Sequence, residues 1–111
     1  MSTEKDYGNR ISSITDVDKI IHEPARLMIM AQLYVLDSAD FLFLKQQTDL
    51  TWGNLSSHVS KLENAGYVQV EKEFVEKKPH TMIHLTEKGR AAFNEYQRTM
   101  KKMFEDMPKD K

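Results

Sequence analysis

The sequence contains no cysteine among its 111 residues. Disulfide bonds, zinc sites built on thiolates and a catalytic cysteine are therefore excluded. No apolar stretch approaches the roughly 20 residues that a helix needs to cross a bilayer. The N-terminal segment MSTEKDYGNR is polar and lacks the apolar centre of a signal peptide. We therefore expect a cytoplasmic protein that makes no use of a membrane.

The sequence also has little net charge and no catalytic motif. Its formal net charge is −1, whereas strong DNA binders often carry a clear basic excess. There is no glycine-rich phosphate loop, and the four histidines show no metal-ligand spacing. His80 and His84 would lie about 13 Å apart on an extended strand, which is too far to share one metal ion directly. We therefore expect no enzyme activity, no cofactor and no metal site.

The composition is that of one folded globular domain. Apolar residues make up 40% of the chain and charged residues 30%. We assign residues 1–14 to a flexible N-terminus, residues 15–107 to the domain and residues 108–111 to a tail. A short helical signal begins at Thr15, which is followed three residues later by Asp18.

The segment PARLMIMAQLYVL, residues 24–36, predicts a helix that is apolar nearly all round. Pro24 suits the first helical turn, where its missing N–H costs nothing. Such a helix must be buried on more than one side. It is either the central helix of the monomer's own core or a helix with one side against a second subunit.

A turn signal at residues 37–40 and a short helix at residues 41–48 precede a second well-defined helix, residues 51–65. Thr51 is placed as its N-cap, and Gly66 as the left-handed residue beyond its end. One face carries Leu55, Val59 and Leu62, and the opposite side carries small polar residues: Gly53, Ser56, Ser57, Ser60 and Asn64. These are poor helix formers. A small polar face suits close approach to a DNA groove, although a tolerant solvated face is the other interpretation.

Two strands and a last helix follow. Residues 68–75 and 81–85 predict a hairpin, and its loop, residues 76–80, is basic because it contains Lys77, Lys78 and His80. The helix from Thr86 to about Met107 carries an apolar stripe with spacings of 3 and 4 residues: Phe93, Tyr96, Met100, Met103 and Met107. The stripe packs either on its own domain or against a second subunit. We favour the dimer, because the helix at residues 24–36 also has two apolar sides.

The chain from LTWGNLSSHVSKLENAGYV to TEKGRAAF resembles the compact winged helix-turn-helix transcriptional regulators of the MarR/ArsR type. The resemblance covers roughly residues 20–105 and is most specific over residues 50–93. It implies a mainly α fold with a small β-hairpin (α+β), a winged helix-turn-helix whose N- and C-terminal helices form a homodimer. The chain is shorter than most MarR proteins, which leaves little room for a ligand pocket, and it lacks the cysteines of thiol-based ArsR metal sensors.

The resemblance also implies the site residues. Recognition helix 51–65 would enter the major groove through Asn54, Ser56, Ser57, Ser60 and Lys61. Wing 76–80 would contact the phosphate backbone through Lys77, Lys78 and His80. The dimer interface would comprise Leu27, Met30, Phe93, Tyr96, Met100, Met103 and Met107.

We therefore expect a homodimeric transcriptional regulator that binds a palindromic operator in double-stranded DNA. The alternative is a winged-helix module that binds a protein through the same face. The near-neutral charge favours that alternative, whereas the polar face and the basic wing favour DNA. A small-molecule effector is compatible with the sequence but is not indicated by it.

Overall fold

The computed structural model of the chain describes residues 17–108. Within this range the chain forms four helices and a three-stranded antiparallel sheet: α1 (Pro24–Leu36), β1 (Ser38–Asp40), α2 (Phe41–Thr48), α3 (Trp52–Asn64), β2 (Val68–Val75), β3 (Lys78–Leu85) and α4 (Glu87–Asp106). The predicted α+β winged-helix fold is confirmed. The expectations about residues 1–14, the helix start at Thr15 and the end of the tail lie outside the described residues. Among the described helices, none has the length and apolarity that crossing a membrane requires.

Glu23 is the N-cap of helix α1, and its carboxylate accepts a hydrogen bond from the Arg26 N–H at 2.8 Å. Its inner side is buried in the core through Ile29, Met30 and Leu33. Its other side stays exposed at the apolar residues Met28, Val35 and Leu36. The sequence predicted burial on more than one side, and within this chain only one side is buried. The alternative in which the whole helix lies inside the monomer's own core is therefore wrong.

The sheet has the strand order β1-β3-β2, and β1 is a strand that the sequence did not reveal. Residues 37–40 were predicted to form a turn, but Ser38, Ala39 and Asp40 pair with β3 opposite His84, Ile83 and Met82. The turn prediction is wrong for residues 38–40, because pairing with β3 overrides the local turn signal there, whereas Asp37 keeps a bend with a φ of 68°. Ser38, Ala39 and Asp40 are too few to show the alternating pattern of a strand. They form a strand only because they pair with β3.

The hairpin is longer and tighter than predicted. Strands β2 and β3 pair along their full length, from Val68 opposite Leu85 to Val75 opposite Lys78. The turn is only Glu76 and Lys77, with φ angles of 54° and 68°, as a two-residue turn with two left-handed residues requires. Strand β3 therefore begins three residues before the predicted start at Thr81. The sequence suggested a longer loop because of its proline.

Pro79 is accommodated inside β3 because only one strand flanks it. It lies opposite Phe74 of β2, beyond the part of β3 that pairs with β1. A proline lacks the N–H of a sheet ladder, so it is tolerated where one side of the strand has no neighbour. The wing thus projects past the rest of the sheet as a two-stranded ribbon.

The core lies between α1, α3, α4 and the inner face of the sheet. Tyr34 and Phe93 join α1 to α4, with ring centroids 5.0 Å apart. The fully buried side chains come from the segment before α1 and from α1, α2, α3 and β3: Ile21, Ile29, Met30, Leu33, Leu44, Leu55, Leu62 and Ile83. This core holds α3 by one face only, so the position of α3 follows directly from core packing.

Two glycines in helices offer a matched test of this packing. A Cβ added at Gly89 would lie 2.1 Å from the Tyr67 carbonyl oxygen and 2.9 Å from Leu85 Cδ1, whereas nothing lies within 4 Å of a Cβ at Gly53. We predict that Gly89→Ala lowers the free energy of unfolding by about 1–3 kcal/mol through overpacking. Gly53→Ala should raise it by about 0.5–1 kcal/mol, because alanine is the better helix former. Urea denaturation measures both. A Gly89→Ala variant as stable as the wild type would contradict the close seating of α4 on Tyr67.

Candidate nucleic-acid interface

Helix α3 has the ends that the sequence predicted. The Thr51 side chain accepts a hydrogen bond from the Asn54 N–H at 3.1 Å, which makes Thr51 the N-cap. At the other end, Gly66 has a φ of 82°, and its N–H donates to the Glu63 carbonyl at 2.9 Å. The Tyr67 N–H donates to the Leu62 carbonyl at 2.9 Å, which completes a Schellman motif. These caps satisfy backbone groups that would otherwise be unpaired at the helix ends.

The residue that follows this end anchors it to the N-terminal part of the domain. The Tyr67 hydroxyl donates a hydrogen bond to the Asp18 carboxylate. Burial, and to a lesser extent the nearby Asp18 carboxylate, raise the pKa of Tyr67 to about 12. The hydroxyl therefore stays protonated at neutral pH and remains a donor.

A second anchor joins α3 to α1 through a buried arginine. Arg26 is 8% exposed, and its Nε donates to the Ile20 carbonyl at 2.6 Å. Its Nη1 lies 3.1 Å from Nδ1 of His58 on α3, and that nitrogen lies 3.7 Å from the Glu23 carboxylate. Burial raises the pKa of Glu23, but the Arg26 N–H and the charges of His58 and Arg26 outweigh it and lower the pKa overall. His58 thus holds the edge of α3 in place, a role that sequence spacing alone did not reveal.

The face of α3 opposite the core is exposed and polar. Leu55, Val59 and Leu62 are at most 3% exposed and define the inner face. All five predicted recognition positions lie on the exposed part of the helix: Asn54, Ser56, Ser57, Ser60 and Lys61. Within residues 17–108, none of their side chains makes a hydrogen bond or an ion pair with the protein. Apart from the capping of the Asn54 backbone, the fold therefore does not use the polar groups of this face.

An aromatic residue at the start of α3 was not among the predicted site residues. Trp52 is 52% exposed and stacks on Phe41 of α2, with ring centroids 5.7 Å apart and planes at 11°. The Lys45 ammonium lies 5.3 Å from the Trp52 ring centroid. The position of Trp52 in the sequence predicts a core residue. Only the packing of α2 against α3 shows that its side chain is half exposed.

The wing presents two of its three predicted residues at the tip. Lys77 lies in the turn and Lys78 is the first residue of β3, and both are exposed. His80 lies further along β3, where its Nδ1 bonds the Asp40 carboxylate of β1. Burial raises the pKa of Asp40, but hydrogen bonds from the Leu42 N–H and from His80 outweigh it and lower the pKa overall. His80 therefore ties the wing to β1, while its predicted phosphate contact stays a prediction.

The residues predicted for dimerisation divide into two groups. Met30, Phe93 and Tyr96 are at most 6% exposed and belong to this chain's own core. The remaining residues are half-buried or exposed: Leu27, Met100, Met103 and Met107. Phe104, which was not in the predicted set, is 64% exposed beside them. An apolar surface thus remains on the C-terminal half of α4.

The comparisons with known proteins agree with this geometry. A family model described as a winged helix DNA-binding domain matches residues 25–104. The uncharacterised protein MJ0432 of Methanocaldococcus jannaschii is 41% identical over 78 residues, which cover 70% of this chain and 85% of that protein. The structure of a transcriptional regulator homologue from Pyrococcus horikoshii OT3 is similar with a TM-score of 0.80 and 29% identity, covering 89% of this chain and 99% of its own.

A more distant neighbour shares the fold alone. BpsR of Bordetella bronchiseptica, whose DNA binding is regulated by 6-hydroxynicotinic acid, has a TM-score of 0.64 and 12% identity. The match covers 93% of this chain and 78% of that one. The predicted resemblance to winged helix-turn-helix regulators is confirmed. The chain belongs to the winged helix DNA-binding family of transcriptional regulators.

Proposed function

We propose that this DNA-binding regulator acts as a homodimer that reads a palindromic operator in double-stranded DNA. Helix α3 would enter the major groove, which is about 12 Å wide and admits one helix. Lys77 and Lys78 would contact the phosphate backbone beside it. The observation that carries this proposal is the exposed face of α3, whose small polar side chains have no partner among the described residues. Serine and asparagine there offer donors and acceptors that suit base edges and phosphates.

The charge of the chain sets the expected strength of binding. The net charge is −1 because 17 acidic side chains balance 16 lysines and arginines, and the lysines on the proposed interface are Lys61, Lys77 and Lys78. Each phosphate that is neutralised contributes about −0.9 to the slope of log affinity against log salt. If each lysine contacts one phosphate, the six of a dimer give a slope of about −5. Binding should therefore be modest and should depend on the second subunit.

The dimer would form through what we call the methionine stripe: Met100, Met103, Phe104 and Met107 of α4. The buried residues of α4 are Gly89, Phe93 and Tyr96, and in its C-terminal half only the partly buried Met100 packs against the core of this chain. Yet Phe104 and Met107 are 64% and 55% exposed. An uncovered apolar stripe of this kind suits a self-complementary two-fold contact with a second copy. The exposed side of α1 at Val35 and Leu36 would supply further apolar surface.

A protein partner is the second candidate function, and the near-neutral charge is the observation that favours it. A docking partner would use the same face of α3 but would require no phosphate contacts. The two functions therefore differ in their salt dependence and in the effect of the wing lysines.

We predict that Lys61→Ala and Lys77→Ala each weaken binding to the DNA upstream of the protein's own gene. Each should reduce the salt slope by about 2 in a dimer, because a phosphate contact is lost twice. Asn54→Ala should instead cost about 1–3 kcal/mol on the specific fragment and little on a scrambled one, if Asn54 contacts a base. Fluorescence polarisation over a salt series measures both effects.

The matched control for the lysine variants is Lys101→Ala, which removes the same charge from an exposed position on α4. It should leave the affinity and the slope unchanged. If both interface lysine variants keep the wild-type slope, or if the wild type binds no DNA at low salt, the proposed DNA function is wrong and the protein-docking function takes its place.

We also predict that the wild-type chain has twice its monomer mass of 13.0 kDa in solution. Phe104→Glu should convert it to a monomer, because a charge would have to be buried in the apolar contact. Leu42→Glu, which changes a residue that is 51% exposed on α2, is the matched control and should leave the dimer intact. Light scattering after gel filtration gives both masses. A wild-type mass of one chain at micromolar concentration would contradict the dimer.

A further inference from the structure

A group of potential metal ligands lies on the outer face of the sheet, away from the core. It consists of Glu71 and Glu73 of β2 and His84 of β3, which we call the Glu–Glu–His cluster. One ligand atom from each residue lies within 4.8 Å of the other two. Sequence spacing did not suggest it, because the two carboxylates become neighbours of His84 only through strand pairing.

The strand ladder places these three side chains on one face. Glu71 and Glu73 are two residues apart on β2, so they point to the same side of the sheet. His84 lies opposite Gln69, which shares that side. The Glu73 carboxylate already lies 2.7 Å from His84 Nε2. Zinc takes nitrogen and oxygen ligands at about 2.0–2.2 Å, and small rotations of two flexible glutamates would bring their oxygens that close to a shared ion.

The charges around the cluster also favour a cation. Among residues 17–108, no lysine or arginine forms an ion pair with Glu71 or Glu73. Glu73 and His84 are about one-third exposed, at 36% and 35% of their side chains, so water screens them only in part. Asp40 and His80 lie on the same face and pair with each other. Two neighbouring carboxylates without a lysine or arginine partner repel each other, and a divalent ion between them removes that repulsion.

We propose that Glu71, Glu73 and His84 bind a divalent transition-metal ion of the Zn²⁺ type on the outer face of the sheet. An imidazole nitrogen selects this class over Mg²⁺ and Ca²⁺, which prefer oxygen ligands alone. Three protein ligands leave a position open for water. This departs from the prediction of no metal site, which rested on histidine spacing.

The bound ion would also change how the wing meets DNA, a step that rests on the proposed function. Glu73 is three residues from the turn residue Glu76, a distance of about 10 Å along a strand. That exceeds the Debye length of about 8 Å at physiological ionic strength, where salt screens the interaction, but it lies well within the roughly 30 Å at 0.01 M salt, where the coupling is expected. An added charge of +2 at the cluster therefore acts on phosphates at the wing tip. Zn²⁺ should tighten DNA binding by the dimer.

The site is tested first without DNA. Isothermal titration of tag-free, chelator-treated protein with ZnCl₂ at pH 7 should show one ion per chain. His84→Gln and Glu73→Gln should each weaken the dissociation constant by at least about 10-fold, the smallest loss expected when a metal site loses a supporting group. The control His22→Gln changes a histidine that contacts Tyr96 instead, and it should bind Zn²⁺ as the wild type does.

Thermal melts without metal would show that each variant is folded, and added Zn²⁺ should raise the melting temperature of the wild type but not of His84→Gln. If the wild type binds no Zn²⁺, or if His84→Gln binds it as tightly, the site is wrong. If His22→Gln abolishes binding, the ligand set is wrong.

The effect on DNA is tested by fluorescence polarisation with and without Zn²⁺. The wild type should bind more tightly with the ion, and His84→Gln should not respond. Zn²⁺ binding without any change in DNA affinity would overturn the coupling alone. If no DNA is bound at any Zn²⁺ concentration, the proposed function fails, and the titration without DNA still decides the metal site.

Discussion

The orientation of α3 depends on the burial of Leu55, Val59 and Leu62, and the rest of the interface depends on that orientation. Because these three side chains enter the core, the small polar residues opposite them face outward. Arg26 and His58 fix the rotation of the helix at its edge, and Tyr67 holds its end. Burying three aliphatic side chains stabilises the fold by roughly 1.5–3 kcal/mol each. That packing offsets the weak helix propensity of the outer face, so the residues of the outer face need not be strong helix formers.

The sheet and the last helix also have parts that project beyond the core. Strand β1 pairs with the root of β3 only, so the wing beyond it is a two-stranded ribbon that carries Lys77 and Lys78 at its tip. Helix α4 is seated at Gly89 and makes its last core contact at Met100, so the apolar Phe104 and Met107 beyond it stay exposed. The core thus accounts for three surfaces at once: the polar face of α3, the basic tip of the wing and the apolar end of α4.

Local chemistry predicted much of this arrangement, and tertiary pairing decided the rest. The ends of α3 follow from Thr51 and Gly66, because capping depends on residues a few positions away. Strand β1, the two-residue turn at Glu76 and the Glu–Glu–His cluster could not be predicted, since each exists only through the pairing of β3 with its neighbours. The apolar pattern of α4 likewise did not show that Phe93 and Tyr96 enter the core while Phe104 stays outside. Periodicity identifies a stripe but not which partner covers each part of it.

The most direct test of the central claim is an NMR titration of isotope-labelled protein with the upstream DNA duplex at low salt. If the outer face of α3 and the wing tip contact DNA, the amide signals of Asn54, Ser57, Lys61 and Lys77 should shift first, ahead of those in α4. A duplex of scrambled sequence should shift Lys77 but leave Asn54 nearly unchanged. Shifts confined to α4, or none in α3 when the duplex is in excess, would contradict the account.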